Sequence, residues 1–144
     1  MPMVTPHDLQ GFDVGWIATD AIGQVALFTT AGPGPIPDSA IPSVEHSEEW
    51  VCSLPEVSDV SLVTSMSSAN AFVAFAKRGL FAYDWSDVHR DAHQALNGYE
   101  LQYRPLNPLR LYDLPAPLRA LAELTRLSSV TFGVSIVVIG DQIS

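Results

Sequence analysis

The chain has 144 residues, 47% of them apolar, and a formal net charge of −9, which is enough apolar side chain for one sizeable core and a single domain over 1–144. No apolar run approaches the roughly 20 residues that span a bilayer, the start has neither a basic nor an apolar leader region, and the single cysteine, Cys52, allows no internal disulfide; a cytoplasmic protein is expected. Lys and Arg are absent before Lys77, where nine acids stand, and the seven later acids balance the seven bases, a pattern that argues against nucleic acid and anionic membrane as partners and permits a basic protein, solubility being the commoner reason for such acidity.

Taken in chain order, the first clear element is a hairpin. In VGWIATDAIGQVALFTT two β-rich runs, Trp16 to Thr19 and Gln24 to Thr30, flank DAIG, where Asp20 suits an Asx turn and Gly23 suits the left-handed position of a tight loop. Pro33, Pro35, Pro37 and Pro42 follow, so an extended connection is expected from 31 to 43. Residues 44 to 60 are ambiguous: Glu45, Glu48 and Glu49 beside Trp50 can start a short helix that Pro55 ends. In SSANAFVAFAKRGLFAYDW, Ser67 or Ser68 is placed to cap a helix over 69–76, with Gly79 as its stop. Because that helix is apolar on nearly every face it is expected to be buried, and Leu80 to Trp85 to form a strand beside it.

SDVHRDAHQALNG predicts a surface helix with Val88, Ala92 and Leu96 as its apolar stripe. YELQYRPL and LRLY read as short strands, at least one of them pushed to a sheet edge by Pro105 or Pro108. In YDLPAPLRALAELTRL, Asp113 is a candidate helix cap, with Leu114, Leu118 and Leu121 facing the core. SVTFGVSIVVI alternates with period two, which predicts one embedded strand with Val130, Phe132, Val134, Ile136 and Val138 on a common face. Hairpin-clustered strands with inserted helices imply an α+β domain: a mainly antiparallel sheet of about five to six strands and two to four helices, one of them buried.

Tests for chemistry return little. AGPGPIP has the look of a phosphate loop, but proline supplies no N–H donors and no Lys lies nearby, so it reads as a rigid strand exit. His89 and His93 stand at helical i, i+4 spacing, as zinc ligands do, yet the residues between them lack the metalloprotease Glu and no third ligand follows. No nucleophile motif is present, and adjacent Glu48 and Glu49 diverge on a helix. Asp84, between Tyr83 and Trp85, is expected to be partly buried. A non-enzymatic chain with no cofactor and no metal is expected. Cys52 reads as a small hydrophobe.

DVGWIATDAIGQVALFTTAGPGPIP, then AKRGLFAYDW, then YELQYRPLNPLRLYDLPAPLRALAEL resemble small bacterial immunity proteins of polymorphic toxin systems, over about residues 13 to 125. The matching positions are Trp16, Asp20, Gly23, Phe28, Gly32, Gly34 and Pro35, with Gly79, Tyr83, Asp84 and Trp85 in the second block, and they describe packing more than chemistry. The resemblance implies a non-catalytic protein that binds and blocks a cognate toxin. An acidic face drawn from Asp38, Glu45, Glu48, Glu49, Glu56 and Asp59 would suit a basic toxin. Two alternatives stand beside it: a ligand-binding domain or small enzyme with a pocket near Asp84, Trp85, His89 and His93, and an assembly subunit that forms a homo-oligomer.

Overall fold

The computed structural model describes residues 11–64 and 70–143. Its seven strands form one mixed sheet: β1 (Gly15–Asp20), β2 (Val25–Thr29), β3 (Val60–Leu62), β4 (Phe81–Asp84), β5 (Gly98–Pro105), β6 (Arg126–Leu127) and β7 (Val137–Ile139). The strand order is β3-β5-β4-β2-β1-β6, with β7 sharing an edge of β5 with β3. Among the described residues the helices are α1 (Ser47–Cys52), α2 (Asn70–Lys77), α3 (Ala116–Glu123) and α4 (Gly140–Ile143), joined by 3-10 turns at Asp38–Ser43, Ser86–His89, Ala92–Gln94 and Leu111–Asp113. The α+β class is as expected. Strands and helical segments are more numerous, and β1–β6 and β2–β4 are parallel pairs.

The β1–β2 hairpin forms where its turn residues predict it, pairing Trp16 with Phe28 and Ala18 with Ala26. Alternation then distributes the strand side chains to two cores. Trp16, Ala18, Phe28, Tyr83, Tyr99 and Leu101 face one, closed by Ile36, Ala40, Phe132 and Val138. Ile17, Val25, Leu27 and Ala82 face the other, closed by Val51 of α1, Phe72 and Phe75 of α2 and Leu118 of α3. Both faces of β1 are therefore covered, and all six of its residues are buried. Its outer edge needs partners before β6 begins. Buried Ser43 accepts the Ile17 N–H at 3.2 Å and buried Ser47 donates to the Gly15 carbonyl at 3.0 Å, so α1 and the turn before it are pinned to the strand.

The helix before β4 occupies Asn70–Lys77 and stops at Gly79, φ +90°; the proposed cap residues Ser67 and Ser68 lie outside the described residues. It buries one face, with Ala71 exposed and Val73 and Ala74 half-buried, so its apolar sequence overstates its burial. The stretch expected to be one helix over 86–98 is two 3-10 turns separated by extended Arg90, φ −120° and ψ 154°. The Asp87 carboxylate accepts the Leu96 and Asn97 N–H groups, both at 2.8 Å, and bends the segment back. LRLY forms a single bridge and a 3-10 turn in place of a strand. Asp113 closes that turn by accepting the Arg110 N–H and does not cap α3, which begins behind Pro115. The C-terminal alternation is interrupted by a turn at Gly133, φ +90°. Val130, Phe132 and Val138 are buried, while Val134 is 78% exposed and Ile136 39%.

Candidate functional site

The Pro/Gly exit from β2 positions everything that follows. Thr30 organises it: its hydroxyl accepts the Val14 N–H at 3.1 Å and donates to the Phe12 carbonyl at 3.0 Å, and its carbonyl accepts the Gly34 N–H at 2.9 Å. The Asp13 carboxylate takes the Ala31 N–H. The Ala31, Gly32 and Gly34 donors are thus used inside the protein and Pro33, Pro35 and Pro37 supply none, which leaves no run of N–H groups for a phosphate. A Cβ on Gly34 would lie 2.6 Å from the Tyr99 hydroxyl. That hydroxyl accepts from Trp16 Nε1 and donates to the Pro35 carbonyl. The exit is welded to an aromatic stack in which Trp16 lies 4.2 Å from Phe28 and Phe28 4.9 Å from Tyr83. Burial pushes the Tyr83 and Tyr99 phenols far above the ordinary tyrosine range, as expected for groups with a structural task.

Instead of an extended connection, the chain then turns through Asp38–Ser43 into α1, carrying the acids with it. Asp38, Glu45, Glu48, Glu49, Glu56 and Asp59 are all exposed. Glu45 and Glu49 flank His46, with carboxylate oxygens 3.8 and 4.0 Å from its ring nitrogens. The His46 ring lies flat on Trp50, centroids 4.8 Å apart. Glu48 turns the other way and leans over Gly15, where its Cγ occupies the space a Cβ would need. Partial burial there, and then the charge of Asp13, hold its carboxyl above the ordinary carboxylate value. Cys52, at the end of α1, is exposed and not a core residue.

Two concave features adjoin α1. One is a cavity of about 350 Å³ lined by Asp13, Thr29, Glu48, Phe72, Asp84 and His89 among others. It brings together Asp84 and His89, expected to share a pocket, but Trp85 and His93 are not among its walls. Trp85 packs edge-on against Tyr99 at 5.2 Å, and exposed His93 belongs to the second 3-10 turn. Asp84 is 4% exposed and accepts a 2.6 Å hydrogen bond from the Thr29 hydroxyl. With no helix to align them, His89 and His93 do not form an i, i+4 pair, and among the described residues no group of His, Cys, Asp and Glu is arranged to hold a metal.

The other feature is a groove of about 370 Å³ between α1 and the start of α3, lined by Trp50, Ser53, Pro115, Pro117 and Leu118. Nothing in the local sequence marks it, because its two walls are about sixty residues apart and only the docking of both helices on one sheet face makes them neighbours. Of the first resemblance block, Trp16, Asp20 and Phe28 are buried within the hairpin. Asp20 accepts from the Ile22, Gln24 and Phe132 N–H groups and the Gln24 side chain, and Gly23 has φ +85°.

No protein-family model matches the chain, and neither does any curated protein or solved structure.

Proposed function

We propose that the chain is a non-catalytic binding protein of the immunity type, which neutralises a basic cognate toxin by covering it with the acidic surface around α1. One observation carries this reading. The six carboxylates between Asp38 and Asp59 are exposed, and among the described residues none is paired with a Lys or Arg. Five of the six arginines are engaged elsewhere: Arg78 with the Cys52, Leu54 and Ala74 carbonyls, Arg90 with Glu100, Arg104 with the Gly133 carbonyl, Arg110 with that of Ile22 and Arg126 with that of Ala21. A surface of one sign, unneutralised from within, steers association with an oppositely charged partner.

The test is co-expression with the product of the adjacent reading frame in a bacterial host. Protection from a toxic product, lost when Glu45 and Glu49 are both changed to Lys, supports the reading. A toxic neighbour that kills regardless, or protection indifferent to charge reversal, overturns it.

The cavity bordered by Asp84 and His89 supports a second reading, a ligand-binding domain. A thermal-shift screen with small organic cations checks it: stabilisation that Asp13→Asn abolishes favours this reading, and no shift across the set removes it.

A further inference from the structure

The groove between α1 and α3 has three properties that belong together. Its walls are apolar and stiff: Pro115 and Pro117 fix their own φ angles, and buried Leu118, 2% exposed, forms the floor. Trp50 is half-buried and held flat against His46, with an interplanar angle of 5°, so its ring is set before anything binds. Acidic side chains stand close to that ring, because Glu45 and Glu49 both approach the His46 imidazole that lies on Trp50. Arg78, the base at the C-terminal end of α1, is bound to carbonyls of Cys52 and Leu54.

A volume of about 370 Å³ lies at the lower end of the roughly 300–1,000 Å³ of ligand sites. It suits one or two side chains of a partner better than a whole helix. A preformed pocket with a tryptophan wall is the kind of place where binding energy concentrates in protein interfaces, since ordering costs on this side are small.

We infer that this groove is the anchor point for a partner segment that inserts one large apolar side chain, Leu, Met or Phe, flanked within two residues by Lys or Arg. The apolar side chain fills the space between Trp50 and Pro117, and the flanking cations meet Glu45 and Glu49. This assignment deepens the proposed function by naming what the partner must present, and it rests on that reading only for the identity of the partner.

Panning a phage-displayed library of random peptides against the full chain tests it without knowing the partner. The expected result is a consensus with an apolar residue bracketed by basic ones. The synthetic consensus peptide then binds Ser53→Arg at least about tenfold more weakly, because Ser53 is an exposed wall residue whose replacement both fills the groove and repels cations. Trp50→Ala gives the same loss, and unchanged melting of Ser53→Arg shows that the fold survives. A peptide set without that pattern, or a consensus peptide that binds Ser53→Arg as tightly as the parent, overturns the inference. Peptide binding without toxin protection leaves the groove standing and removes the toxin reading. Protection that Ser53→Arg retains in full removes the groove and leaves the toxin reading.

Discussion

Asp20 shows how one side chain can hold together parts of the chain that the sequence keeps far apart. Its carboxylate is 1% exposed and receives four N–H donors, one of them from Phe132 across 112 residues. Asp20→Ala leaves the buried Gln24 and Phe132 backbone N–H groups without that acceptor, and a loss of about 3 kcal/mol is expected from chemical denaturation. Gly34→Ala drives a methyl into the Tyr99 hydroxyl and the Thr30 carbonyl, and a cost of about 1–3 kcal/mol is expected in the same measurement.

Glu48 gives a pH signature. A carboxyl whose folded-state pKa is raised favours the fold while protonated. That contribution is complete below its ordinary value of 4.5 and is lost as pH rises through the folded value. Glu48→Gln stays neutral, so thermal melts are expected to show it more stable than the parent at pH 7 by no more than about 0.5 kcal/mol, the pair being half-screened by solvent. The difference closes as pH falls below 4.5; a constant difference would contradict this cause. At this scale the sequence is partly legible. The turn formed by Asp20 lies within four residues and could be read, whereas its bond to Phe132 and the contact of Glu48 with Gly15 exist only across the fold.

Elements formed as expected where short-range signals agreed, and failed to form where a distant partner outbid them. The hairpin turns at Asp20 and Gly23, and α2 stops at Gly79 ahead of β4. The 86–98 segment has helical spacing, but its backbone is drawn elsewhere. Arg90 reaches Glu100 at 2.8 Å and the Ser86 hydroxyl at 2.6 Å, and Ser86 in turn donates to Glu100 at 2.5 Å. Glu100 belongs to β5, so the turn is fastened to the sheet and the extended conformation of Arg90 follows. With side chains only 15% and 10% exposed, this pair is more than a surface salt bridge. Arg90→Met strands the Glu100 charge and is expected to cost about 3 kcal/mol. Adding Glu100→Gln is expected to return part of that loss in a double-mutant cycle; strictly additive effects would show that the two groups do not cooperate. The C-terminal alternation fails for a related reason: Phe132 is held by Asp20, and the Gly133 N–H donates to the Tyr83 hydroxyl. The chain must turn there before β7 can reach β5.

For the whole molecule, the dominant feature is charge placed on a surface that the fold leaves uncompensated. Glu45→Lys with Glu49→Lys is expected to slow association with a basic partner at low salt, with the difference shrinking as ionic strength rises past the roughly 8 Å Debye length of physiological salt. Stopped-flow or biosensor kinetics across a salt series checks it. Because both side chains are about four-fifths exposed, at 83% and 78%, the melting temperature is expected to change little. The absence of Lys and Arg before Lys77 announces this surface directly, as does the run of acids from Asp38 to Asp59. The amino-acid sequence by itself determined the α+β class, the hairpin and its turn and the acidity of the first half, because each depends on neighbouring residues or on a count, and it left the segment around Trp50 ambiguous. Only the tertiary structure decided which acids stand clear and which lean on a neighbour, that two histidines at helical spacing part company, and that Trp50 meets Pro117 across a groove. Those outcomes depend on which buried polar group finds its partner first in space, and spacing along the chain carries no record of it.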